Sequence, residues 1–272
     1  MSVVSIQVGG QSIQIDSNQG LDLSIAYRFQ GDRLNAFGVN PSSWQTVENN
    51  YFRGGRQGKT GCKVNQYTLI PHCHGTHTEC IGHIIDNTLS IHEILKDVWI
   101  PCLILTLKPE KANANHDRYA SNVAEHDVVI TKDQLCRGFK KFPDENFQQA
   151  LIIRTLPNDV SKKVRHYSTA AYFSNDAMQV IAHHPVKHLL VDLPSVDRME
   201  DQGKLSNHRI FWQLFAENQQ RGRQAVSAKT ITELIFVANE IKDGYYLLNL
   251  QISPFIADAA PSRPLVFPAL KL

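Results

Sequence analysis

Between Pro71 and His83 the chain reads Pro71-His72-Cys73-His74-Gly75-Thr76-His77-Thr78-Glu79-Cys80-Ile81-Gly82-His83. Four imidazoles, two thiols and one carboxylate lie side by side there. These are the nitrogen, thiolate and carboxylate donors that divalent transition metals take. Gly75 is expected to turn the backbone, so that donors on either side converge. His77 and Glu79 are two residues apart and share a face if the segment is extended. His83 is placed to face the same centre without binding it. A single histidine would read as a surface or satisfied core residue. This density beside Cys and Glu favours metal chemistry. The spacing is not that of a zinc finger, which needs a second Cys/His pair at a set distance. Nor is it the helical H-E-x-x-H of metalloproteases. Gly75 and the β-branched Thr76 and Thr78 argue against helix here.

Other chemistry-bearing residues are weaker taken singly. Glu233 stands at the head of the apolar run Leu234 to Val237. A carboxylate is costly there unless paired or metal-bound, and otherwise reads as an exposed strand end. His208, ahead of Ile210, Phe211 and Trp212, alone reads as a core or surface histidine. Asp192 and Asp197 flank Pro194 and read as turn caps, and Cys80 reads as packing. Cys62 lacks an identifiable His/Asn partner, and His183-His184 reads as surface. The glycines from Gly54 to Gly61 lack the phosphate-binding G-x-x-x-x-G-K-[ST] pattern. Trp44, Tyr51 and Phe52 suit either an apolar or aromatic substrate wall or plain core packing.

The whole chain has 272 residues, enough for one or two domains and a core that needs no staples. Apolar residues make up 42%, and the net charge is +2, which argues against nucleic acid or an anionic membrane as partner. No run approaches the ~20 apolar residues of a spanning helix. The N-terminus lacks the basic start and apolar stretch of a signal peptide, so a cytoplasmic location is expected. Five cysteines, an odd number, fit reduced thiols or metal ligands better than a disulfide framework.

The elements that must position these residues are legible in outline. Residues 2–16 alternate around Gly9-Gly10 as a hairpin. Residues 21–26 predict a short strand, 29–66 a long excursion, and 67–70 a strand running into the histidines. A short helix is predicted from His92 to Leu95, and a buried strand from Trp99 to Leu107. Residues 108–124 are polar and predict a loop. Thr131 caps a helix reaching towards Phe139. The continuous apolar runs 150–154 and 188–191 suit strands buried on both faces. The helix from Ser174 to His183 lies between them, making a strand–helix–strand unit and a partly parallel sheet. A helix is predicted over 207–218, and strands over 231–237, 244–251 and 265–270. With no repeat and no linker, a single α/β domain over residues 1–272 with a mixed sheet and flanking helices is the simplest account.

The chain also resembles the cyclase family, which includes the bacterial kynurenine formamidases and carries H-x-G-T-H-x-D-x-P-x-H. Gly75-Thr76-His77, the acid at 79 and His83 fall in that register. Leu21-Asp-Leu-Ser resembles the family's opening D-L-[ST], and Val191 to Asp197 its G-[IL]-D-x-x-S-[IV]-D. Asn207-His208-Arg209, Ile231-Thr-Glu233-Leu and Ala260-Pro-Ser-Arg263-Pro resemble its later segments, in order. Three positions depart from the pattern: Cys73 stands for the first His, Glu79 for Asp, and Ile81 for Pro.

The resemblance implies a swivelling β/β/α fold and a metal-dependent hydrolase of a carbon–nitrogen amide-type bond, such as an N-formyl aromatic amine. It implies Cys73, His77, Glu79, His208 and Glu233 as metal ligands and His83 as general acid/base. His72 or His74 remains an alternative first ligand. Zinc is expected ahead of manganese because thiolate is soft, and five donors suit a binuclear centre sharing a carboxylate. A homodimer or higher homo-oligomer is implied as well. A lactone or cyclic-amide hydrolase with the same site, or a non-catalytic metal-binding protein, are the competing readings.

Overall fold

A computed structural model describes residues 2–48, 64–85, 89–214 and 227–270. Seven strands form the frame: β1 (His77–Cys80), β2 (Ile100–Leu107), β3 (Ala150–Thr155), β4 (His188–Val191), β5 (Thr230–Glu233), β6 (Gly244–Ile252) and β7 (Ala259–Pro268). Their order is β6-β2-β3-β4-β5-β1-β7, and β7 pairs back onto β6, so the sheet closes on itself as a barrel. The run β2-β3-β4-β5 is parallel, whereas β1, β6 and β7 pair antiparallel with their neighbours. The mixed α/β architecture is the one expected.

Side-chain alternation explains why these strands read as continuous apolar runs. Ile100, Cys102, Ile104, Ala150, Ile152, Leu190, Leu248 and Leu250 meet in one buried cluster inside the closed sheet. The residues between them, including Leu103, Leu105, Leu151, Ile153, Leu189 and Val191, face the helices instead. Strands with period two and two buried faces need apolar residues at every position. The outer layer comprises α2 (Lys132–Lys141), capped by Thr131 and Gln134, and α3 (Asn175–His183), capped by Ser174. To these α4 (Ser206–Phe211) adds Phe211, followed by Trp212. The short α1 (Pro71–His74) precedes β1.

Most predicted elements are present, and the differences have local causes. The N-terminal hairpin turns at Gly9 and Gly10, whose φ values of 54° and 82° lie in the left-handed region. The predicted strand at 67–70 is Asn65–Thr68, paired with Ser43–Thr46 as a separate ribbon. Residues 71–74, expected to be non-helical, form α1, because Pro71 at its start supplies a helical φ and needs no hydrogen-bond partner. β5 stops at Glu233, since Leu234 takes φ 57°. Glu233 therefore ends a strand rather than opening one. Of the predicted 207–218 helix, the structure has α4 as far as Phe211; the chain leaves the helix over 212–214, where Gln213 takes φ 58°, and 215–218 lie outside the described residues. Tyr51, Phe52, Gly54 to Gly61 and Cys62 lie outside the described residues. Among the described residues no helix is long and apolar enough to cross a membrane.

One buried histidine makes this frame acid-sensitive. His188 on β4 is fully enclosed, with Nδ1 2.8 Å from Thr230 Oγ1 and Nε2 3.1 Å from Asp97 Oδ2. Burial, only partly offset by Asp97, pushes its pKa down to about 4. A depressed folded pKa means that the unfolded chain binds the proton first, so stability is present above the ordinary imidazole pKa and lost as pH falls towards 4. Lowering the pH from 7 to 5 should remove about 2 kcal/mol through this one group. Denaturant unfolding of wild type and His188→Gln at both pH values checks this. An equal pH dependence in the two proteins would refute it.

Candidate metal centre

β1 carries the heart of the site. Its extended backbone puts His77 and Glu79 on the outer face, as their spacing predicts, while Thr78 turns to the opposite face and pairs with Thr232 at 2.8 Å. The antiparallel register sets Glu233 directly opposite His77. The side chains meet with His77 Nε2 3.4 Å from Glu233 Oε2. α4 supplies His208 from above, with Nε2 2.9 Å from Glu79 Oε1 and 3.8 Å from Glu233 Oε1. His83 follows β1 after one turn of 3₁₀ helix, and its Nε2 lies 3.9 Å from Glu79 Oε2. His77, Glu79, His208, Glu233 and His83 are thus brought together.

At the start of the histidine-rich segment His72, and not the neighbouring Cys73, lies beside Glu79. His72 enters the cluster, with Nδ1 3.2 Å from Glu79 Oε2 and Nε2 3.1 Å from Asp258 Oδ2. Cys73 is buried on the same helical turn, but among the described residues it belongs to no group of three donors within 4.8 Å. Successive residues on a helix point about 100° apart, so α1 can aim only one of the two at Glu79. Burial and the nearby Glu233 charge push the Cys73 thiol up to about 11. His74 faces away, with Nδ1 accepting from the Ile70 N–H at 2.9 Å and Nε2 3.0 Å from Asn40 O.

Gly75 also plays a different part from the expected turn. Its φ of 176° is extended backbone. Space is what demands glycine: a Cβ there would lie 2.7 Å from the Tyr27 ring and 2.9 Å from Ile25 O. Thr76 then ties the segment down. Its hydroxyl accepts from Ile25 N at 2.7 Å and donates to Leu234 O at 2.5 Å.

Two further carboxylates complete the cluster. Asp197 Oδ2 lies 2.6 Å from His208 Nδ1, and the same side chain accepts from the backbone N–H groups of Asn207 at 2.9 Å and His208 at 3.2 Å. Asp197 is the cap that its sequence position suggests, but for a helix ten residues away, and it orients a site imidazole as well. Asp258 Oδ2 lies 3.0 Å from His83 Nδ1. Its signal in the sequence is slight, an acid just before the Ala260-Pro261 segment.

The electrostatics follow from this packing. Burial acts against the charge on Glu79, but His208, hydrogen-bonded to it, and the neighbouring His72 and His83 imidazoles hold its carboxyl well below the usual range. Burial also acts against His208, yet Glu79 and Asp197 on either side raise its imidazole well above the usual value. His72 is raised to about 10 in the same way, with Asp258 and Glu79 outweighing burial. Two buried atoms nevertheless make no well-formed hydrogen bond: His77 Nε2, with Glu233 Oε2 at 3.4 Å, and Glu79 Oε2, with His72 Nδ1 at 3.2 Å, face these neighbours outside hydrogen-bond geometry. A ring nitrogen and a carboxylate oxygen buried together without well-formed hydrogen bonds are what a divalent metal would satisfy. The donor groups His72/His77/Glu79 and Glu79/His83/His208 share Glu79.

A family model described as "Putative cyclase" matches residues 21–198, well over half of the chain. The chain belongs to the cyclase family. No curated protein matches the sequence of this cyclase-family chain. Among solved structures it is similar to one described as a potential metal-dependent hydrolase with cyclase activity, at 16% identity, covering 92% of this chain and 98% of that one, with a TM-score of 0.57. A predicted metal-dependent hydrolase from Bacillus stearothermophilus also has 16% identity and covers the same shares, with a TM-score of 0.56. Isatin hydrolase A from Labrenzia aggregata is similar at 11% identity over 92% of this chain and 93% of that one, with a TM-score of 0.58. At these identities the likeness is one of fold.

Removing Asp197 should be costly, because it leaves the buried His208 Nδ1 without its carboxylate partner and uncaps α4. Asp197→Ala should lower unfolding free energy by about 3–5 kcal/mol, the range for breaking a buried charged pair. Denaturant unfolding of the variant measures it, and a loss under about 1 kcal/mol would show that the pair does not hold α4 in place.

Proposed function

We propose that this cyclase-family chain is a metal-dependent hydrolase of a carbon–nitrogen amide-type bond. The observation that carries the reading is the pair of buried atoms without a well-formed hydrogen bond, His77 Nε2 and Glu79 Oε2, at the floor of a cluster with one open side. The His77, Glu79 and His208 side chains are at most 2% exposed, whereas those of His72, His83 and Asp258 are 23%, 28% and 40% exposed. A structural metal site is closed by protein donors, and a catalytic one keeps a position for water and substrate. The exposed edge favours catalysis over the non-catalytic reading.

In this reading His77, Glu79, His208 and Glu233 hold the metal, and His72 supplies the nitrogen that the motif register gives to Cys73. When bound, a divalent metal supplies Lewis acidity, which polarises a carbonyl and acidifies water. Glu79, between two donor groups, is the carboxylate that would be shared by two ions. Zinc remains the first choice, but its advantage over manganese rested on sulfur, and a nitrogen and oxygen donor set narrows that advantage. His83 acts on protons: its Nε2 faces the cluster, takes a proton from the attacking water and passes it to the leaving amine nitrogen. An imidazole suits that exchange near neutral pH.

N-formyl aromatic amines are the first substrate class. A cyclic amide is the second, favoured by the fold shared with structures named isatin hydrolase, isatin being a cyclic amide. Lactones test how far the site tolerates oxygen as leaving atom.

Protein purified without chelator should carry one to two transition-metal ions per chain by elemental analysis, and finding neither zinc nor manganese would overturn the site. His72→Ala should weaken metal binding at least tenfold, about the effect of losing a nitrogen ligand, with Cys73→Ser and His74→Ala doing less. The reverse ranking in chelator competition would restore Cys73 as the ligand. His83→Ala should keep metal and fold yet turn over the best substrate of the panel about 10²–10⁴-fold more slowly. Parallel loss of metal would instead make His83 a ligand.

A further inference from the structure

Asp258 lies beyond the segment matched by the family model and outside the proposed ligand set. One of its oxygens, Oδ2, meets two imidazoles at once, His72 Nε2 at 3.1 Å and His83 Nδ1 at 3.0 Å. We propose that Asp258 is a positioning residue that fixes the proton tautomers of both His72 and His83. The consequence for metal binding rests on the hydrolase reading above, while the effect on His83 does not.

A carboxylate only accepts hydrogen bonds, so each ring nitrogen facing it must carry the proton. That assignment decides what the far nitrogens can do when the rings are neutral. His72 Nδ1 faces Glu79 Oε2 at 3.2 Å, so in the metal-free site Glu79 competes for a proton there; with Nε2 held protonated by Asp258, Nδ1 is the nitrogen left to offer a lone pair once a metal takes the place of that proton. His83 keeps a lone pair on Nε2, 3.9 Å from the same oxygen, where a proton acceptor is needed. With the opposite tautomers both rings would present N–H groups to the cluster and could do neither job. Ligand imidazoles are commonly held this way by an outer carboxylate; here one carboxylate would serve a ligand and a proton shuttle together.

The surroundings keep Asp258 in place for this. Its backbone carbonyl accepts from Cys80 N at 3.0 Å, at the end of β1, and Ala257 O accepts from Ile91 N at 2.8 Å. Gly82 lets the chain pass close by, since a Cβ there would lie 2.6 Å from Leu89 O and 3.7 Å from Asp258 Cβ. The two imidazoles lie alongside each other, with centroids 4.4 Å apart and planes 34° from parallel, so both edges reach one oxygen. Hydrogen bonds from His72 and His83 hold the Asp258 carboxyl well below the usual range, and it stays an acceptor at neutral pH.

Long-range ¹H–¹⁵N spectra of the histidine side chains test the proposal, on metal-free and zinc-loaded protein, at a pH where the His83 ring is neutral. Wild type should show His83 protonated at Nδ1. In Asp258→Ala the proton should move to Nε2, and zinc affinity by chelator competition should fall about 10–100-fold, with zinc content at saturating zinc unchanged. Asp258→Asn keeps an acceptor oxygen and should fall between the two; it also decides the matter if Asp258→Ala does not fold. A wild-type His83 protonated at Nε2, or a tautomer indifferent to both substitutions, would overturn the proposal. So would loss of a whole zinc ion at saturation, which would make Asp258 a ligand. If wild type takes up no zinc, the hydrolase reading falls, and the His83 tautomer in the metal-free chain still decides the role of Asp258.

Discussion

The site is organised around one buried carboxylate. Glu79 has no exposure of its own, and a carboxylate in such a place is costly unless positive charge and hydrogen bonds surround it. His208, His72 and His83 all present a ring nitrogen to it. Each of those rings has a further carboxylate behind it, Asp197 for His208 and Asp258 for the other two. The result is alternating acid and imidazole, in which Glu79 and Asp258 each meet more than one ring. His77 faces Glu233 across the strands at 3.4 Å through Nε2, a buried nitrogen that makes no well-formed hydrogen bond.

Barrel closure is what makes this arrangement affordable. β1 is only four residues long, yet it is paired on both sides, by β5 and by β7, so its backbone polar groups are satisfied and its outer face is free for polar side chains. The register of β1 against β5 sets His77 opposite Glu233. The β7 pairing brings Asp258, just ahead of Ala259, beside the end of β1. Helix α4 covers the same face. Its own N-terminus has no local side-chain cap, because the residue at the cap is Leu205, whose side chain has no acceptor. Asp197 fills that role from the preceding loop, so the helix is tied to the site by the same carboxylate that orients His208.

The difference in exposure across the cluster gives it a direction. The floor is sealed by Glu79, His77 and His208, with Trp212 5.4 Å from the His208 ring. The rim is formed by α1, the turn after β1 and the segment before β7, which carry His72, His83 and Asp258. Electrostatic interactions are strongest at the dry floor and proton exchange is easiest at the wet rim, which suits a division between holding charge and moving protons.

Composition and pattern alone determined a good deal. The density of donors from His72 to His83 marked the site, and alternation placed His77 and Glu79 on one face of a strand. Unbroken apolar runs identified β2, β3 and β4, since only strands buried on both faces need them. Ser174 and Thr131 marked the starts of α3 and α2. His208 and Glu233 were not distinguishable from ordinary core and surface residues by their own neighbours, and only the resemblance to the cyclase family singled them out. Tertiary structure decided the rest. Whether His72 or Cys73 faces Glu79 depends on the rotation of a four-residue helix, which a one-residue difference in the sequence does not encode. Gly75 is required by the Tyr27 ring, 48 residues away in the chain, and not by any local turn. Asp197 ends a segment that resembles the family's but reads by itself as a turn cap, and Asp258 is a single acid with no pattern around it; both gain their partners because helix docking and barrel closure carry distant segments to the same few ångströms. Strand period and burial are local properties that side chains announce; convergence of side chains from five segments is a property of the closed sheet.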